Sequence, residues 1–142
     1  MHSKTWLLLC TAPLILSLGC GGGAGGRLAI EGAVSYAGEP IKKGSIIFRS
    51  ADSALPEVSA AIVDGAYKVP AQLGPKAEEY VVKVEAFRMK KSANTNVPDY
   101  LKNDPNAGMI PEQYVPKKYN DNSQLKVKFD AAKTTYDFAL EK

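Results

Sequence analysis

The chain has almost no histidine or cysteine. Its one histidine is His2, and its two cysteines are Cys10 and Cys20. His2 and Cys10 both fall in residues 1–19, a stretch that reads as a removable leader. Lys4 sits beside the amino terminus, and an apolar run follows from Trp6 to Leu18. The run is too short for a stable membrane span, and Pro13 interrupts it. Without the leader the chain has no imidazole, and Cys20 is its only sulfur nucleophile. That excludes Ser-His-Asp and Cys-His catalysis and breaks up the usual zinc and copper ligand sets. No disulfide closes within such a chain, so a hydrophobic core must hold the domain. No cofactor is expected.

An excess of one sign of charge is also lacking. The formal net charge is +3, and Lys4 leaves with the leader. A nucleic-acid footprint is larger and clustered, so nucleic acid is not an expected partner. A composition of 45% hydrophobic and 23% charged residues suits a soluble globular domain. About 115 residues remain after the leader and the glycines that follow it, enough for one core.

The leader ends in Leu16-Ser17-Leu18-Gly19-Cys20. This resembles the lipobox of bacterial lipoproteins, with Gly19 and Cys20 matching and Ser17 standing where Leu is usual. The resemblance implies cleavage between Gly19 and Cys20, and acyl chains on Cys20. Residues 20–27 then form a lipidated cysteine and a glycine-rich tether, Gly21-Gly22-Gly23-Ala24-Gly25-Gly26. Such a tether has an r.m.s. reach of only about 13 Å. Gly21 is not the Asp that keeps lipoproteins at the inner membrane of well-studied species. By analogy the location is the cell envelope, at the outer membrane or cell surface, with the membrane a partner through the anchor.

From Leu28 the pattern has period two. Ile30, Gly32, Val34 and Tyr36 share one face; Ile46 and Phe48, then Val58, Ala60 and Ile62, share others. Asp64-Gly65 is a two-residue hairpin signal, with Ala66–Val69 as the return strand. Tyr80–Phe87 is the best core strand, with Val82, Val84 and Ala86 inward and Lys83 and Glu85 outward. Residues 88–123 lose the pattern and read as a long irregular segment, with a short helix starting at Ile110-Pro111-Glu112. Strands resume at Leu125–Phe129 and Tyr136–Leu140. The fold class is all-β: a small antiparallel β-sandwich of about seven strands.

Several of these stretches resemble carboxypeptidase-regulatory-like domains. They are Gly32-Ala33-Val34-Ser35-Tyr36-Ala37-Gly38-Glu39-Pro40, Gly44-Ser45-Ile46-Ile47-Phe48 and Ile62-Val63-Asp64-Gly65-Ala66-Tyr67. The later stretches Ile110–Tyr114, Leu125–Phe129 and Asp137–Leu140 fit the same pattern. The turn Gly74-Pro75 departs from it, being longer before Tyr80. The resemblance covers residues 28–142 and implies a transthyretin-like (prealbumin-like) sandwich. It implies no reaction. Hydroxyisourate hydrolases share that fold but use histidines and a Tyr-Arg-Gly-Ser-like ending; this chain ends Ala139-Leu140-Glu141-Lys142.

The expected function is therefore non-catalytic: a membrane-anchored interaction or structural module that meets an envelope protein or a surface polysaccharide. The alternative is a carbohydrate- or peptide-binding surface domain that uses residues 88–123. Candidate binding residues are Arg88, Lys90, Lys91, Tyr114, Lys117, Lys118 and Tyr119. The basic ones suit anionic headgroups or polysaccharide, or simply a solubilising loop. Tyr67, Tyr80, Tyr114, Tyr119 and Tyr136 read as a sugar-stacking surface or as core rims with hydroxyls in water. Asp104-Pro105-Asn106-Ala107-Gly108 and Asn120-Asp121-Asn122-Ser123 offer hard oxygen ligands for calcium, or plain turn chemistry. A Lys–Asn or Lys–Asp cross-link needs buried partners, and Lys83 and Glu85 are expected to be exposed.

The leader makes a direct prediction. Intact mass of the chain extracted from host membranes should show a start at residue 20 with added lipid mass, and Cys20→Ser should abolish both. An unlipidated chain cut elsewhere refutes the anchor.

Overall fold

The computed structural model describes residues 25–51, 55–93 and 96–142. The expected leader, Gly19, Cys20 and the first glycines of the expected tether lie outside them. The strands are β1 Ile30–Tyr36, β2 Glu39–Pro40, β3 Lys43–Ser50, β4 Val58–Val63, β5 Ala66–Val69, β6 Glu79–Glu85, β7 Phe87–Lys91, β8 Met109–Gln113, β9 Lys126–Lys128 and β10 Phe138–Leu140. Each of the seven expected strands is among them. The chain is all-β. One sheet runs β10-β1-β5-β4-β3-β6-β9, with β2 added to β1; β7 and β8 form a second, two-stranded sheet. Pairing is antiparallel except for β1 with β10, which run parallel.

Alternation explains the burial. Ile30 and Val34 of β1, Ile46 and Phe48 of β3, Val58 and Ile62 of β4, and Val82 and Val84 of β6 are all buried. The large sheet curls, and aromatic contacts measure the curl. β3 and β10 stand four positions apart, roughly 19 Å in a flat sheet. Yet the Phe48 and Phe138 rings are 6.1 Å apart. Phe129, just past β9, meets Tyr136, just before β10, at 4.8 Å and nearly edge-on. The two rims of the sheet thus touch across one core.

Two glycines make this possible. Gly65 closes the β4–β5 hairpin at φ 81°, beside Asp64 at φ 49°, the left-handed pair that a tight hairpin requires. Gly32 faces the segment that leads into β10. A Cβ there would stand 1.9 Å from the Tyr136 carbonyl oxygen, so no larger residue fits without moving the strand.

Three of the tyrosines are core residues, but their hydroxyls reach backbone, where water had been expected. The Tyr67 hydroxyl donates to the Tyr136 carbonyl at 2.8 Å. The Tyr80 hydroxyl accepts from the Lys76 N–H at 3.0 Å, and the Tyr136 hydroxyl from the Asp130 N–H at 2.7 Å. Buried hydroxyls need partners, and here each one fastens a loop to the core.

Three further expectations are corrected. Residues 88–123 are not simply irregular, because they contain most of the β7–β8 ribbon and two 3-10 turns. Ile110-Pro111-Glu112 starts no helix and belongs to β8. All of β7 is exposed, so no face is apolar throughout and the usual signal vanishes. Lys83 and Glu85 are half-buried, not exposed. β3 flanks β6 on one side; on the other, the Val82 N–H donates to the Leu125 carbonyl at 2.7 Å.

Burial raises the Tyr67 phenol well above its ordinary value of 10.0, with Asp137 and Tyr136 adding to the effect. The folded state therefore resists ionisation that the unfolded chain accepts. The resulting stability is fully present below about pH 10 and is lost as pH rises beyond it. Tyr67→Phe should cost about 1–2 kcal/mol at neutral pH by removing the hydrogen bond to Tyr136. Urea unfolding near about pH 8 and about pH 11 should show a shallower alkaline loss in the variant. Equal losses would mean that Tyr67 is not the group responsible.

Candidate functional site

β6 does not end where the core ends. The chain passes through buried Ala86 and continues as β7, which projects with β8 as a ribbon. The side chain of Gln113 accepts from the Ala86 N–H at 2.8 Å, and the Tyr114 N–H donates to the Ala86 carbonyl at 3.2 Å. These bonds hold the ribbon's base.

On one face of the ribbon, Glu112 gathers two cations. Arg88 Nη2 lies 2.8 Å from one carboxylate oxygen, and Lys90 Nζ lies 2.7 Å from the other. The hydrogen bonds from Lys90 and Arg88 hold the Glu112 carboxyl below its ordinary range. The Arg88 guanidinium also lies 5.7 Å from the centre of the Tyr114 ring, within cation–π range. Tyr114 packs on Tyr36 at 5.9 Å and a 56° tilt. Burial raises the Tyr114 phenol, and Arg88 opposes that shift. Arg88, Tyr114 and Tyr36 line a cleft of about 260 Å³ at the ribbon base, with Glu39, Pro40 and Lys142.

The candidate residues thus divide. Arg88, Lys90 and Tyr114 are brought together around Glu112. Lys91 sits farther along the ribbon, opposite Met109. Lys117 lines another hollow with Asn120 and Asp121, which Tyr114 also borders. Lys118 and Tyr119 fasten the chain end: Lys118 Nζ donates to the Lys142 carbonyl at 2.9 Å, and the Tyr119 hydroxyl accepts from the Glu141 N–H at 3.0 Å. Lys118 Nζ also stands 5.0 Å from the Tyr119 ring centre.

Sequence reasoning missed Glu112, which organises the basic cluster, and Tyr36, which backs Tyr114. The period-two placement of Ile110, Glu112 and Tyr114 carried the signal, but the Pro111 helix-start reading overrode it. The hard-oxygen runs perform turn chemistry. Asp104 accepts from the Asn106 N–H at 2.8 Å, and buried Asn120 donates its amide to the Val115 carbonyl at 3.0 Å. Among the described residues no group of three or more His, Cys, Asp or Glu is placed to hold a metal ion.

No family model, curated protein or solved structure matches the chain. The site is therefore read from its own geometry: a cationic and aromatic surface at the foot of an exposed ribbon, suited to holding a ligand by charge and contact.

If Tyr119 is a fastener, Tyr119→Phe should speed exchange of the Glu141 amide roughly five- to tenfold, as expected on losing a hydrogen bond of about 1 kcal/mol. Amide exchange by NMR reads this directly, and unchanged exchange at Glu141 would show that the hydroxyl does not hold the chain end.

Proposed function

We propose that the chain is a lipid-anchored lipoprotein of the bacterial cell envelope, and that its carboxypeptidase-regulatory-like sandwich is a non-catalytic interaction module. The anchor is Cys20, and the module presents the β7–β8 ribbon away from the membrane. One observation carries the second half of this reading: the chain enters the domain at the end opposite the ribbon.

Strand directions establish the two ends. Arg27 bridges to Lys76, the Leu28 N–H donates to the Pro75 carbonyl at 2.7 Å, and both contacts lie just before β6 begins. β6 runs in the same direction as β1, because three antiparallel steps link β1 to β3 and a fourth leads to β6. The ribbon leaves from the far end of β6, beside Tyr36 at the far end of β1. The seven residues of β1 span roughly 20 Å. The tether's reach of about 13 Å is shorter than that. A domain held at Gly25 and Gly26 keeps its near end at the lipid and its ribbon outward. This favours a protein or polymer partner over the anchoring leaflet's own headgroups as the basic cluster's target.

The glycan alternative has less support. Tyr67, Tyr80 and Tyr136 are buried, and the tilt between Tyr36 and Tyr114 gives no flat platform.

The orientation is tested with the lipidated protein in vesicles carrying a quencher in their acyl chains. A fluorophore attached at Lys76→Cys should be strongly quenched, and one at Met89→Cys should not. The reverse order refutes the outward ribbon. Absence of quenching at both positions refutes the anchor.

A further inference from the structure

The ribbon has two free edges, and they differ. The Tyr114 N–H donates to the Ala86 carbonyl, and the Ser92 N–H donates to the Gly108 carbonyl at 2.9 Å. These two bonds set the phase of the β7–β8 ladder. Even-numbered residues of β7 turn their backbone groups toward β8, and Phe87, Met89 and Lys91 turn theirs outward. On β8 the outward positions are Met109, Pro111 and Gln113. Pro111 has no N–H to offer there, so that edge is blunted. The β7 edge keeps every donor and acceptor, and all five of its residues are exposed.

Side chains along this edge alternate in chemistry. Phe87 and Met89, each 56% exposed, share one face with Pro111 and Met109. Arg88 and Lys90 share the other face, where Glu112 is the one carboxylate between them. That face carries an excess positive charge. At the ribbon base, a cleft of about 530 Å³ adds Lys42 and Lys43 to Arg88 and Phe87, against the acids Glu39 and Asp64.

Resting on the reading of the ribbon as the interacting element, we propose that β7 takes up an extended segment of a partner protein as an added strand, one whose residues alternate apolar and acidic. Its backbone pairs with Phe87, Met89 and Lys91. Its apolar side chains lie beside Phe87 and Met89, and its acidic ones beside Arg88 and Lys90. A second copy of this chain fits the edge poorly. Antiparallel β7–β7 pairing about Met89 sets Arg88 opposite Lys90 of the other copy, twice, and like charges directly opposed are destabilising.

The test uses the chain purified in detergent from its host and a fluorescein-labelled probe peptide, Val-Glu-Val-Glu-Val-Glu-Val, read by anisotropy. A Val-Lys-Val-Lys-Val-Lys-Val peptide is the charge control. The acidic peptide should bind at least about tenfold more tightly than the basic one. Arg88→Glu with Lys90→Glu should reverse that order. Met89→Pro removes an outward N–H without touching a ladder bond and should weaken binding about tenfold or more. N-methylating alternate amides of the probe leaves the protein untouched, so it tests the backbone pairing even if a variant fails to fold. One of the two methylation phases should abolish binding and the other should spare it.

Equal binding of both peptides, no binding of either, or binding indifferent to both methylation phases overturns the proposal. So does a concentration-dependent dimer lost in Met89→Pro, which would give the edge to a second copy. None of these results bears on the quenching experiment, so failure here leaves the anchored, outward-facing module standing.

Discussion

The contact between Phe129 and Tyr136 holds the rest of the structure in place. A chain without a disulfide in its domain must close its sheet by packing alone, and these two rings sit at opposite rims of that sheet. Phe48 stands at the centre of the closure, touching Tyr67, Phe129 and Phe138. Aromatic rings suit the task because each buries a large area and tolerates tilted, edge-on contact. Closing the core on tyrosines has a second consequence. Their hydroxyls cannot remain unpaired inside, and the nearest partners are backbone groups of the connecting loops. Closure and loop fastening are thus one arrangement, and Gly32 is the spacing condition that lets β10 come near enough to complete it.

Closure also gives the domain two unlike ends. At one, Arg27 donates to the Gly74 carbonyl at 3.0 Å, tying the incoming chain to the turn before β6. At the other, β6 continues past the core as β7. A strand that leaves the core has nothing to bury, so the ribbon depends on ladder bonds and on rungs such as Arg88–Glu112–Lys90. Exposed strand edges are hazards that proteins blunt with charge and proline. Here proline blunts β8, while charge on β7 sets the sign of what pairs with it.

Legibility in the sequence follows burial. β1, β3, β4, β5 and β6 were readable because one face of each meets the core, so apolar residues recur at every second position. The Asp64-Gly65 turn was readable because its backbone conformation restricts residue choice. β7 was not, since both of its faces meet water and the alternation of Phe87 and Met89 with Arg88 and Lys90 stops at Lys91, too short to mark a strand. The candidate site was readable only by composition. Arg88, Lys90 and Lys118 carry the same charge in the sequence, yet the first two build the ribbon rung and the third, with Tyr119, fastens the chain end.

Local chemistry along the chain is enough to establish an all-β domain, its inward faces and its tight hairpin. These depend on neighbouring residues or on a period of two, which a linear string records. The parallel placement of β10 beside β1, the choice of Glu112 as organiser and the open β7 edge do not. They arise when distant segments meet, β1 with β10 across the curled sheet and β7 with β8 in the ribbon. Which distant groups meet is decided by packing and by the direction each strand must run to close the core.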